Sequence, residues 1–175
     1  TLMRKAGIHS YRDFAMAVLK AVPHRPISFE VFSDDLSEMI DQAQEIASWG
    51  DNVNVKIPVT NTEGRFTGEV VKELSSSGVQ VNVTALFTLE QVDAVMESLS
   101  GEAEAYVSVF AGRIADTGRD PLPTMRESAK RVAVRPNTSL IWASPRELLN
   151  VFQADSVGCH VITVANSILS KLSIV

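Results

Sequence analysis

Apolar and polar positions follow two rhythms along this chain. Short runs rich in β-branched residues, Ile27–Phe32, Asn52–Ile57, Gln80–Ala85, Ala105–Phe110, Ser139–Ala143 and Val161–Val164, read as strands. Between them apolar residues recur at helical spacing. Tyr11–Val22 carries Phe14, Ala15, Val18 and Leu19 on one face, and Asp34–Trp49 carries Leu36, Met39, Ile40, Ala43, Ile46 and Ala47. The second run opens on Ser33-Asp34-Asp35, side chains suited to an N-cap, and stops at Gly50. The same spacing predicts helices over 64–77, 88–99, 121–133 and 146–157.

Strand and helix alternate without a linker, which predicts βα units, a parallel sheet and one α/β domain over residues 1–175. Strands of an open doubly wound sheet are buried on both faces and read as continuous apolar runs. Here polar residues alternate through the middle strands: Asn54 and Lys56, Asn82 and Thr84, Tyr106 and Ser108 before Phe110. A barrel that gathers polar side chains inside gives that pattern, so the expected fold is a (β/α)8 TIM barrel. Six strands are two short of eight. The sequence starts at Thr1 and stops inside the apolar-periodic stretch SKLSIV. The domain is therefore expected to be incomplete at both ends, covering about strands 3–8.

Composition narrows the partners. Sixteen Lys and Arg against 21 Asp and Glu give a net charge of −5, with no run of like charge, which argues against nucleic acid and against a basic membrane patch. No apolar run reaches the roughly 18–20 residues of a membrane span, and no leader pattern opens the sequence. Cys159 is the single cysteine, so no disulfide framework is available and a cytoplasmic location is expected.

Lys56 is the sharpest chemical signal, lying on a strand between Val55 and Ile57 and sharing its face with Asn54. An amine held inside a barrel among polar groups is suited to condense with a carbonyl substrate. The alternative is a lysine that reaches solvent or pairs with Glu30. Glu30 lies on the preceding strand and Asn82 and Thr84 on the following one; the Glu30 carboxylate and the Thr84 hydroxyl could hold the water that adds to and leaves an imine. Arg113 and Arg146 each lie just past a strand C-terminus, where barrel active sites are built, and Ser144 is read as opening a helix whose N-terminus favours an anion. Together these three form a candidate phosphate cradle. The alternative is that Arg146 pairs with Glu147 or Asp116. His9, His24 and His160 lack metal-ligand spacing, and no phosphate-binding glycine loop is present, so no metal or cofactor is expected. Trp49, Trp142 and the methionines are read as core.

Four blocks carry a family resemblance: Asn54-Val55-Lys56-Ile57-Pro58-Val59-Thr60, Val81-Asn82-Val83-Thr84-Ala85-Leu86-Phe87, Val107 to Ile114 with Asp116, and Trp142-Ala143-Ser144-Pro145-Arg146-Glu147. In order and in content they resemble the transaldolase family, nearest its small branch, which includes fructose-6-phosphate aldolase. Thr1–Ile8 resembles the stretch after that family's second strand. The resemblance implies a (β/α)8 barrel with a metal-independent Schiff-base mechanism, sugar-phosphate substrates of the pentose phosphate pathway and a homo-oligomeric assembly. Lys56 then matches the imine-forming lysine, and Glu30 and Thr84 the pair that positions catalytic water. Asn82 and Ser108 match contacts to the substrate's hydroxyl end, and Arg113, Ser144 and Arg146 the phosphate site. The aldolase branch carries Gln at position 30 and Tyr at position 110. Glu30 with Phe110 is the transaldolase pattern and implies transfer of a dihydroxyacetone unit between sugar phosphates. Reversible cleavage to free dihydroxyacetone and an inactive relative are the alternatives. The family's general acid/base aspartate, on its first strand, has no counterpart here, since Asp13 falls on a helix pattern.

Overall fold

The computed structural model describes residues 7–174; most of the stretch Thr1–Ile8 lies outside them. Six parallel strands follow one another in sequence order within one sheet: β1 (Ile27–Glu30), β2 (Val53–Pro58), β3 (Val81–Leu86), β4 (Ala105–Val109), β5 (Thr138–Trp142) and β6 (Val161–Ile162). Helix α1 (Tyr11–Ala21) precedes β1. The crossovers carry α2 (Leu36–Ala47), α3 (Gly68–Ser76), α4 (Leu89–Ser98), α5 (Ala111–Asp116), α6 (Leu122–Val132) and α7 (Leu149–Ser156). A short α8 (Asn166–Leu169) and a 3₁₀ turn over Ser170–Ile174 follow β6. Six strands in sequential parallel order, alternating with helices, are consistent with a partial (β/α)8 barrel.

The two faces of the sheet have different jobs. Val53, Val55 and Ile57, then Val81 and Val83, then Val107 and Val109, then Leu140 and Trp142 are all buried against the helices. Each such side chain contributes about 1.5–3 kcal/mol on burial, so the helix side carries the stability. The opposite face shows Ser28, Asn54, Lys56, Asn82, Thr84, Tyr106 and Ser108. The two-residue period of a strand sorts the two sets without further instruction.

Side-chain caps set three of the eight described helix starts. Ser10 accepts from the Asp13 amide at α1, Asp35 from the Ser37 and Glu38 amides at α2, and Thr88 with Gln91 forms a reciprocal capping box at α4. Three differences from the sequence pattern have clear causes. Helix α3 begins at Gly68 rather than near 64, because Asn61 Oδ1 accepts from the Glu63 and Arg65 amides and bends the chain into a turn first. Helix α5 leaves no mark in the sequence pattern; its six residues are too few to show a period. Helix α7 begins at Leu149 rather than 146, for a reason that belongs to the site below.

Strand β3 carries one extra residue. Val83 pairs with Val107 while Leu86 pairs with Val109, and the inserted Ala85 has φ 64°, left-handed and strained for alanine. The loops that follow β1 and β2 are strapped together. Asp34 accepts from the Thr62 amide (2.7 Å) and hydroxyl (2.6 Å), which holds its carboxyl below the usual carboxylate range.

Cys159 lies beside β5 and β6, its Sγ donating to the carbonyls of Leu140 and Val161. Burial pushes its thiol from 9.0 up to about 11. The thiolate is the reactive form, so at pH 8 alkylation by iodoacetamide is expected to run about 100-fold slower than for a free thiol. A rate equal to that of the unfolded chain would contradict the burial. Among the described residues no helix is long and apolar enough to cross a membrane.

Candidate active site

A cavity of about 490 Å³ opens on the polar face, lined by residues from all six strands. Lys56, Asn82, Thr84, Ser108, Phe110 and Ser144, six of the nine residues singled out from the sequence, line it together. Lys56 and Glu30 are direct partners in the β1–β2 register, and Lys56 Nζ stands 3.6 Å from Glu30 Oε2. Amine and carboxylate are both partly exposed, so the contact is solvent-screened and its worth lies in placement more than in stability. Thr84 is 2% exposed and its hydroxyl has no hydrogen-bond partner.

Glu30 is held from behind. Its backbone amide donates to the Tyr11 hydroxyl (2.9 Å), which in turn donates to the Glu30 carbonyl (3.4 Å). The Tyr11 ring stands edge-on to Phe29, Phe32 and Trp49. Burial raises the Tyr11 hydroxyl pKa, which keeps it a donor through the neutral range.

Across the floor, Ser108 Oγ donates to Asn82 Oδ1 (2.7 Å) and Asn82 Nδ2 donates to Ser28 Oγ (2.9 Å). This chain joins β4, β3 and β1 over the top of β2, so each side chain is fixed by the next. Tyr106 neighbours Asn82 in register and also faces the cavity; burial first, and Glu104 second, raise its phenol. At the rim Phe110 packs edge-on against Phe87, ring centroids 5.8 Å apart.

The candidate phosphate trio is arranged differently from expectation. Ser144 lines the cavity, but it does not open a helix: its φ is 59°, and the chain past it stays irregular up to Leu148. The amides of Arg146 and Glu147 are taken by Asn150 Oδ1 (2.7 and 3.2 Å), which closes off the anion site a helix N-terminus would have offered. Arg146 does pair with Asp116. Its Nε and Nη2 donate to the two carboxylate oxygens at 2.8 and 2.6 Å, and Nη1 donates to the Ser144 carbonyl at 2.8 Å. Of five guanidinium N–H groups three are engaged, which leaves two for a ligand. The Arg146 hydrogen bond holds the Asp116 carboxyl below its usual range, and the field of Arg113, exposed on α5, adds to it. Gly112 makes the junction possible, since a Cβ there would overlap the Ser144 carbonyl oxygen.

Several cavity residues escaped individual notice in the sequence. Ser28, Ile141, Ala143, Val161 and Thr163 line it, and all are placed there by strand alternation. Among the described residues no group of three or more His, Cys, Asp or Glu is arranged to hold a metal ion.

Fold and site together define a parallel β/α protein with a lysine-bearing polar cavity on its sheet. Residues 8–174 match the family model described as transaldolase/fructose-6-phosphate aldolase, and the chain belongs to that family. It is 35% identical over 175 residues to a protein named probable transaldolase from Dehalococcoides mccartyi, covering 98% of this chain and 76% of that one. Proteins of the same name from a Thermoanaerobacter species (36%; 98% and 76% covered) and from Nitrosopumilus maritimus (34%; 90% and 68% covered) are similar to it as well. Among solved structures the chain resembles a mandelate oxidase mutant at TM-score 0.61 and 16% identity, covering 93% of this chain and 56% of the other. At that identity the likeness is one of fold alone.

Proposed function

We propose that this chain carries the active site of a transaldolase in which Lys56 forms a Schiff base with a ketose phosphate. The observation that supports it most is the placement of the Lys56 amine in the cavity, 3.6 Å from Glu30 and on the same face as the unpaired Thr84 hydroxyl. In this reading β1 to β6 are the third to eighth strands of the barrel. Lys56 Nζ adds to the ketone carbon, and the carbinolamine loses water, which Glu30 and Thr84 hold. The iminium accepts the electron pair of the cleaving carbon–carbon bond, releasing an aldose phosphate and leaving an enamine. The proton of the adjacent hydroxyl passes to the aspartate that the family resemblance places on the first strand. The enamine then attacks an acceptor aldose, and hydrolysis frees Lys56. Asn82 and Ser108 bind the hydroxyl end, and Arg113, Ser144 and Arg146 bind the phosphate. The substrates are sugar phosphates, and the assembly is a homo-oligomer in the cytoplasm.

Borohydride reduction with isotopically labelled fructose 6-phosphate tests this directly. The label is expected on the peptide containing Lys56, and label on any other lysine overturns the assignment. Without an acceptor the enamine is expected to persist; steady release of free dihydroxyacetone would favour the aldolase reading instead.

Arg146→Ala is expected to raise KM for a phosphorylated acceptor by about tenfold or more, the worth of a charge-assisted hydrogen bond. KM for an unphosphorylated aldose should stay within about twofold, and equal changes for both would remove Arg146 from the phosphate site. Stability should change by less than about 1 kcal/mol, because the pair with Asp116 is solvent-exposed.

A further inference from the structure

Donor and acceptor pairing on the cavity wall leaves one buried polar side chain with neither a partner nor a task. Ser108, Asn82 and Ser28 satisfy one another in a chain. Lys56 faces Glu30, and Thr84 is assigned to water. Asn54 remains. It lines the cavity, is 1% exposed, and its Oδ1 is fully enclosed without a hydrogen-bond partner. A carboxamide buried in that state costs stability unless something completes it, and nothing in the fold requires a polar group between Val53 and Val55.

Position narrows what completes it. Asn54 is two residues before Lys56 on β2, so it shares the lysine's face and lies roughly 6.5 Å deeper along the strand. Ser144 and Arg146 lie at the other end, beyond the strand C-termini. A ketose bound with its phosphate outward and its carbonyl carbon at Lys56 directs its remaining terminus toward the floor. Rotation about the Asn54 Cβ–Cγ bond exchanges the amide nitrogen with the oxygen, so a hydroxyl there can be met as donor or as acceptor.

We infer that Asn54 joins Asn82 and Ser108 at the hydroxyl end as a specificity-determining residue, hydrogen-bonding the terminal hydroxyl of the ketone away from the phosphate and favouring hydroxymethyl over methyl ketones. The inference rests on the imine reading above. A buried polar group that is completed by a ligand hydroxyl rejects the analogue lacking it, because the group is then left unpaired.

The test is competitive borohydride trapping on the intact chain with equal dihydroxyacetone and hydroxyacetone, the two adducts resolved by mass as they differ by one oxygen atom. Wild type is expected to favour the dihydroxyacetone adduct. Asn54→Leu, close in shape but without polar atoms, is expected to lower that ratio by about tenfold. It should still form adduct, and its Tm should be equal to or above wild type. Asn54→Val carries the same expectation if the leucine variant does not fold. An unchanged ratio in a folded variant, or no wild-type preference, overturns the inference while leaving the imine intact. Absence of any wild-type adduct overturns the imine reading and this inference with it.

Discussion

Lys56→Ala is expected to abolish adduct formation and to lower turnover on the order of 10⁴- to 10⁶-fold, the range seen when a covalent nucleophile is removed. Stability should barely move. The Lys56–Glu30 contact is partly exposed, and such pairs contribute about 0–1 kcal/mol. A Tm within about 4 °C of wild type is the companion expectation for a domain of this size. Stopped-flow assay of aldose release, with thermal unfolding in parallel, checks both at once. Turnover within tenfold of wild type would exclude Lys56 as nucleophile, whatever the stability.

Gly112→Ala is expected to act in the opposite sense, through structure first. The added methyl meets a backbone carbonyl, that of Ser144, and α5 or the β5–α7 loop must move. Overpacking of this kind costs about 3 kcal/mol, which lowers Tm by roughly 6–12 °C. The same carbonyl accepts from Arg146 Nη1, so the guanidinium should lose its third anchor and KM for phosphorylated acceptors should rise. Unchanged Tm would mean that Ser144 can yield at no cost, and the close approach would then have no role in holding the loop.

Much of this arrangement is legible in the chain itself. All six strands appear where β-branched runs stand, and the inward set Asn54, Lys56, Asn82, Thr84 and Ser108 follows from period-two alternation alone. The Lys56–Glu30 juxtaposition was readable as a pairing of neighbouring strands. What the sequence concealed lies where side chains take over backbone hydrogen bonds. Asn150 captures two amides and delays α7, and Asn61 captures two more and delays α3. Neither capture leaves a periodic trace. The engagement of Arg146 by Asp116 is one of two pairings the sequence leaves open, with Glu147 the other, because which carboxylate a surface arginine meets depends on α5, a helix too short to be seen. Tyr11 supporting Glu30 needs a contact nineteen residues apart, which no local pattern encodes.

The extra residue in β3 is separable from the rest of the fold. Val83 and Leu86 both face the helices although three positions apart, so loss of Ala85 would restore regular pairing with β4 and leave each core residue on its own face. Only the path between Thr84 and the rim would shorten, re-aiming one hydroxyl in the cavity. Deleting Ala85 is thus expected to keep the fold while disturbing the cavity alone.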